Sequence, residues 1–331
     1  MNNKDVKILF MGTAEFGIPT LKVLNDNFNL VAIITNHEKP SGRGLKIKFS
    51  PVKKFAMSNS IKYFQPKNLK NQIFIDKITS INPDIIVVVA FRMIPKSIWQ
   101  IPKYGTINLH ASLLPNYRGS APINWAIINN EDFTGVTTFF IDDKIDTGDI
   151  LLQEKIKVDK KINAGELHDK LKVIGARTVK KTIKEILSNS LIQKKQKRDG
   201  NYRKAHKLDK ENIKIDWNQN CLEIHNKVRG LSPFPGARAS LINNNGNIKR
   251  VVFYESEYFI EDHNFENGQI IKEKDLIKIT CKDGYIMIKN LKMEGKKRMN
   301  TSSFLNGFNI ENYKMVKWLI MEIYLFLHLK V

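Results

Sequence analysis

Cysteine is almost missing from this chain. Only Cys221 and Cys281 occur in 331 residues, which excludes a disulfide framework and leaves no paired-cysteine spacing for a zinc site. Two thiols fit a reducing compartment, and the expected location is cytoplasmic. Carboxylates are scarce as well: 33 Asp and Glu stand against 54 Lys and Arg, a net charge of +21. The acidic residues that do cluster, Asp142, Asp143, Asp146 and Asp149, match neither a calcium loop nor a zinc set, so no metal is expected. The glycine pattern of a dinucleotide fold is absent too. Gly12-Thr13-Ala14-Glu15-Phe16-Gly17 is not G-x-G-x-x-G, and no acidic residue closes a second strand at the required spacing, which argues against a nicotinamide cofactor. The N-terminus enters a strand-like run at once, without a signal-peptide pattern. The one extended apolar stretch, Met315–Val331, is interrupted by Lys317, Glu322, His328 and Lys330 and barely reaches the length of a membrane span; a terminal helix packed on the body is expected first, an interfacial helix second.

What is present starts with charge. An excess of +21 points to a polyanionic partner, nucleic acid first and an anionic membrane surface second, although a coding bias toward Lys, Ile and Asn also adds lysine without function. The apolar share of 42% is ordinary, so the chain can build a core and two domains. Through the first half, short apolar strands alternate with helices. Strands are expected at Val6–Met11, Leu30–Thr35, Ile61–Phe64, Asp84–Ala90, Thr106–His110 and Gly135–Asp142, and helices at Ile18–Leu24, Val52–Asn59, Phe74–Ile81, Asn124–Asn129 and Gly165–Leu187. Asp84–Ala90 is almost continuously β-branched, as a strand buried on both faces of a parallel sheet should be. This alternation specifies a doubly wound α/β domain. Beyond Trp217 the pattern changes to one helix, Cys221–Arg229, and short strands punctuated by Asn and Gly, which suggests a small β-barrel.

The chemistry concentrates in Gly105–Gly119 and in Ile145–Asp149. Asn108, His110 and Ser112 alternate and so share one face of an extended chain, at the carboxyl end of a strand, where open α/β sheets place ligands. An amide can hold a developing oxyanion, an imidazole can stabilise or move charge, and a carboxylate such as Asp146 can orient the ring and take a proton. That set suits acyl transfer without a Ser or Cys nucleophile. Separately, Lys39–Lys48 is a basic, glycine-spaced loop that presents Arg43 between Gly42 and Gly44. It reads as a solvated loop or as an arm that orders on a phosphate backbone or a base.

These stretches carry a resemblance. Leu9–Gly17, Pro40–Gly44, Ser50–Lys53, Asn108–Gly119, Ala121–Ile123, Gly135–Thr137, Asp146–Gly148, Lys207-Leu208, Ile215–Trp217, Arg229–Ala237, Gly295–Lys297 and Phe304–Gly307 resemble the methionyl-tRNA formyltransferase family over nearly the whole chain. The resemblance implies a Rossmann-like formyltransferase domain followed by an OB-like barrel. It implies transfer of the formyl group of 10-formyltetrahydrofolate, as co-substrate, to the α-amine of methionyl initiator tRNA. It further implies Asn108, His110 and Asp146 as the catalytic set, Ser112, Leu113, Leu114 and Pro115 on the folate, and Arg43, Lys46, Lys48 and Lys207 on the tRNA.

The division expected is 1–190 for the catalytic domain, 191–209 for a basic linker, 210–314 for the tRNA-binding barrel and 315–331 for an atypical apolar tail. The expected state is a monomer with no obligatory protein partner and no membrane association. Ala90–Pro95 departs from the family's Ala-Tyr-Gly pattern, and folate contacts there are left unassigned. Two rivals remain open at this point. One is a formyltransferase acting on a sugar nucleotide or other small amine, which would share Asn108, His110 and Asp146 without needing the charge. The other is a non-catalytic RNA-binding protein on the same scaffold.

Overall fold

A computed structural model describes residues 3–38, 40–41, 46–197 and 200–316. The described residues divide into two compact units, one drawn from 1–122, 133–157 and 168–205, the other from 123–132, 158–167 and 206–331. No helix among the described residues is long and apolar enough to cross a membrane.

The first unit is organised by a seven-stranded sheet. Its strands are β1 (Lys7–Gly12), β2 (Asn29–Ile34), β3 (Tyr63–Phe64), β4 (Ile85–Val89), β5 (Thr106–His110), β6 (Phe133–Phe140) and β7 (Ile150–Lys157). They lie in the order β7-β6-β5-β4-β1-β2-β3. The five strands from β5 to β3 run parallel, the Rossmann-like arrangement expected of alternating strands and helices. Every residue of β4 is buried, which is why its sequence is an unbroken β-branched run. Leu9, Met11, Ile86 and Val88 form one face of the core with Phe74 and Ile78 of the helix Gln72–Ile81. Asn71 caps that helix through its side chain, supplying an acceptor for one of the otherwise orphaned first-turn N–H groups.

One edge departs from a purely parallel sheet. β6 pairs antiparallel with β5, and β7 antiparallel with β6. β7 is not legible in the sequence because only its first two residues are buried and the Gln153-Glu154-Lys155 stretch faces outward, so an alternating apolar signal never develops. Residues 191–205, expected as part of a linker, group with the first unit. Lys194 exchanges two backbone bonds with Ile150, at 2.8 and 2.9 Å, and Lys204–Ala205 lies parallel to Arg118–Gly119.

The second unit carries the helix Cys221–Leu231 and a seven-stranded antiparallel sheet. Its main strands are β8 (Ala237–Asn243), β9 (Ile248–Ile260), β10 (Ile270–Glu273), β11 (Leu276–Cys281), β12 (Gly284–Met293) and β13 (Tyr313–Met315), in the order β10-β11-β12-β9-β8-β13. Met299–Asn300 adds a short seventh strand against β12. The sheet nearly closes on itself, because the Met315 N–H donates to the Gly268 carbonyl at 3.0 Å, just ahead of β10. Trp217, Val228, Phe253, Ile286 and Phe304 fill the interior, and Trp217 meets Phe253 edge-on at 6.2 Å. This is the expected barrel-like second domain. Met315, assigned from sequence to the tail, is a buried strand residue here, 3% exposed. The rest of the apolar tail, from 317 onward, lies outside the described residues.

Candidate active site

β5 ends where expected, and Asn108 and His110 alternate toward the carboxyl end of this strand, whose neighbours are β4 and β6. Asn108 is half-buried, and its amide makes no hydrogen bond to the protein among the described residues. His110 is buried, 8% exposed. Its Nε2 lies 2.8 Å from the Tyr117 carbonyl oxygen; a carbonyl only accepts, so this nitrogen carries a proton. Its Nδ1 lies 3.8 Å from Asp146 Oδ2, with both side chains largely shielded from water. Each ring nitrogen therefore faces an oxygen acceptor, and the ring orientation is set by the protein.

Asp146 reaches that position from a tight loop. Its backbone is left-handed, with φ at 56°, a conformation that non-glycine residues adopt only when their surroundings hold them there. The Gly119 N–H donates to Asp146 Oδ2 at 2.9 Å, while Oδ1 has no protein partner among the described residues. On the same loop Thr147 donates its hydroxyl to the Asp142 carboxylate. Two glycines make the arrangement possible. Gly119 has φ of 122°, and a Cβ there would stand 2.4 Å from the Ala205 carbonyl oxygen; at Gly148 a Cβ would meet the Phe140 carbonyl oxygen at 1.7 Å. Gly148 thus lets the loop lie against the Phe140 backbone, and Gly119, the donor to Asp146, lies against the Ala205 backbone. Tyr117, whose carbonyl holds the other side of His110, is also left-handed, at φ 61°.

The structure brings Asn108, His110 and Asp146 to one end of the sheet. Ser112–Pro115 follows directly, held by Thr137, which ends the Gly135–Thr137 stretch of the resemblance, and by Gln153, which the sequence does not single out. Thr137 donates its hydroxyl to the Ser112 carbonyl at 2.6 Å and accepts from the Leu114 N–H at 3.1 Å. Gln153 donates to the Leu114 carbonyl at 2.9 Å. The Ser112 hydroxyl itself is buried and donates to the Asn116 carbonyl at 2.7 Å. Leu113 and Pro115 are the residues of this set with partial exposure.

Of the residues expected to meet nucleic acid, Lys48 and Lys207 are exposed. Lys46 sits in a two-residue strand paired with Ser41, and Arg43 lies outside the described residues.

The two cysteines, distant in sequence, meet in the second unit: Cys221 Sγ, Cys281 Sγ and an Asp283 oxygen fall within 4.8 Å of one another. Burial pushes both thiols up, Cys281 to about 11 and Cys221 further still, where the nearby Asp283 adds to the effect. Each thiol donates to a carbonyl, Cys221 to Phe259 and Cys281 to Gly284.

Sequence comparison gives the family. The pattern of the family described as "Formyl transferase" matches residues 6–183, and that of its C-terminal domain matches 207–309; the chain belongs to the formyl transferase family. Within it, the chain is similar to the methionyl-tRNA formyltransferase of Flavobacterium johnsoniae, 46% identical over 308 residues that cover 93% of this chain and 98% of the relative. It is 42% identical to that of Clostridioides difficile over 309 residues, 92% and 98% of the two chains. Among solved structures, an N-formyltransferase from Helicobacter canadensis, crystallised with folinic acid and dTDP-3-aminofucose, shares the fold at 21% identity and a TM-score of 0.58, covering 89% of this chain and all of that one.

Proposed function

We propose that this protein transfers the formyl group of 10-formyltetrahydrofolate to the α-amine of methionyl initiator tRNA, giving the N-formylmethionyl-tRNA that starts translation. The observation that carries the reading is the convergence of Asn108, His110 and Asp146 in a chain that is 46% identical, along nearly its whole length, to a relative named for this reaction. The folate that accompanies a structural neighbour supports a folate-type donor. The acceptor gives the +21 charge a partner, since lysines and arginines that neutralise phosphates supply sequence-independent affinity.

In this reading the neutral α-amine of the methionyl ester attacks the formyl carbon. A C–N bond forms, and the carbonyl electrons move to oxygen. The Asn108 amide, which has no other partner among the described residues, donates to that oxyanion; one donor of this kind contributes roughly 10²–10³ in rate. The oriented His110 ring stabilises the developing charge beside it. The proton leaving the amine passes to Asp146, whose Oδ1 has no partner among the described residues. Collapse breaks the bond to the folate N10, which takes the proton that Asp146 received and leaves as tetrahydrofolate, restoring the carboxylate. Ser112–Pro115 lies against the folate, chiefly through Leu113 and Pro115, because the Ser112 hydroxyl is already committed. Arg43, Lys46, Lys48 and Lys207 contact the tRNA. The reading is of a cytoplasmic monomer without an obligatory protein partner.

The test is formylation by the purified protein with 10-formyltetrahydrofolate, offering charged initiator tRNA, charged elongator methionyl-tRNA, uncharged tRNA and a dTDP-linked amino sugar. Transfer confined to the charged initiator is expected. Transfer to the amino sugar alone would overturn the acceptor assignment and leave the formyltransferase chemistry standing.

A further inference from the structure

Gln196 lies in the lysine-rich stretch that reads as a connector, yet it is only 7% exposed. A buried primary amide costs stability unless its donors and acceptor are used, and here both ends are. Its Oε1 accepts from Arg118 Nε at 3.1 Å and from Arg118 Nη2 at 2.6 Å. Its Nε2 donates to the Asp146 carbonyl at 3.1 Å and to the Gly148 carbonyl at 2.7 Å. Gln196 therefore spans the left-handed residue that presents the carboxylate and the glycine that lets the loop lie on Phe140. The paired Lys194 and Ile150 backbones fix its register against the first unit.

Arg118 completes the relay. No carboxylate pairs with it among the described residues, so its charge is directed onto Gln196 Oε1. A charged donor on the amide oxygen polarises the amide and strengthens the bonds its N–H groups make. Arg118 also precedes Gly119, whose N–H holds Asp146 Oδ2. The Asp146 loop is thus gripped twice by the 118–119 segment, directly through the side-chain carboxylate and indirectly, through Gln196, by its backbone.

We propose that Gln196 is a positioning residue for formyl transfer. It fixes the 146–148 backbone so that the Asp146 carboxylate faces His110, and Arg118 strengthens that hold. The proposal rests on Asp146 belonging to the catalytic set. A displacement of about 1 Å in such a group can cost ~10²-fold in rate, and a site is only as well placed as the residues behind it.

Two variants separate the halves of the amide. Gln196→Glu keeps the size and the acceptor for Arg118 but turns an oxygen toward two carbonyls; Gln196→Leu removes both interactions. Steady-state formylation is measured well below each variant's melting temperature, with Asp146→Asn in parallel. The Gly119 amide resonance, read in glycine-labelled protein, reports the hydrogen bond to Asp146. A fall in kcat of about 10²-fold for Gln196→Leu and about tenfold or more for Gln196→Glu is expected. KM for both substrates should stay within about threefold, and the Gly119 resonance should move in the direction seen for Asp146→Asn. Should Gln196→Leu not fold, the near-isosteric Gln196→Glu carries the test alone. Wild-type kcat with an unmoved Gly119 resonance, or a change confined to melting temperature or KM, would overturn the proposal. Wild-type turnover by Asp146→Asn would overturn the catalytic assignment itself, a distinct outcome.

Discussion

The Gly119 amide donates to Asp146 Oδ2 at 2.9 Å, and it can do so only because residue 119 has no side chain. With φ at 122° and the Ala205 carbonyl 2.4 Å from where a Cβ would stand, Gly119→Ala must shift backbone on both sides. The expected cost is about 1–3 kcal/mol in stability, the range for forced overpacking, together with a fall in kcat because the donor to Asp146 moves. Thermal denaturation and formylation kinetics on one preparation check both; unchanged kcat in a destabilised variant would separate the glycine from the site.

Asn108 is the clearest candidate for direct contact with the reacting oxygen. Asn108→Ala should lower kcat by roughly 10²–10³ while leaving the melting temperature and tRNA affinity close to wild type, because the amide has no protein partner to lose among the described residues. Turnover at the wild-type rate would remove the oxyanion role.

Arg43→Ala addresses the acceptor. If the 39–48 loop meets the acceptor end of the tRNA, the variant should raise KM for methionyl-tRNA or lower kcat, and equilibrium binding of the folate should be unaffected. Equal loss of folate affinity would assign the loop to the donor instead.

The second unit carries a pH dependence of its own. His225 is held down to about 4 from the ordinary 6.5, first by burial and then by the nearby Arg229 charge; its Nδ1 is 3.1 Å from Ser256 Oγ and its ring tilts on Tyr258. As pH falls below 6.5 the unfolded chain takes up a proton that the folded ring refuses, so stability is full above that value and declines toward pH 4. The whole effect is at most about 3 kcal/mol, less for the ring's residual contact with water. Melting temperature measured from about pH 7 to pH 4 should fall less steeply for His225→Gln than for wild type. Parallel curves would show that other groups set the acid limb.

Much of this architecture is legible from the residues alone. Thr106–His110 is a strand with the bounds its pattern predicts, because β-branched and apolar residues occupy the buried positions while Asn108 and His110 alternate toward the site. Ile85–Val89 is equally plain. What stays hidden is set by neighbours far along the chain. β7 hides because an edge strand with one wet face carries little apolar signal. Gln196 hides because an amide among lysines looks solvated until Arg118 and two loop carbonyls converge on it. The closeness of Cys221 to Cys281 follows from the docking of the Cys221–Leu231 helix start on the Asp283 turn, and the strand role of Met315 from barrel closure; no local pattern encodes either.

The first unit takes in residues up to 205, and this has a consequence for synthesis on the ribosome. The Asn108 and Asp146 segments leave the exit tunnel well before Gln196, and the Lys204–Ala205 strand that flanks Gly119 emerges last. A nascent chain can lay down its parallel strands early, yet the grip on Asp146 closes only after this lysine-rich stretch has emerged and folded back. Activity should therefore switch on late in elongation, and a fragment cut at 190 would keep Asn108, His110 and Asp146 without the groups that hold the Asp146 loop in place.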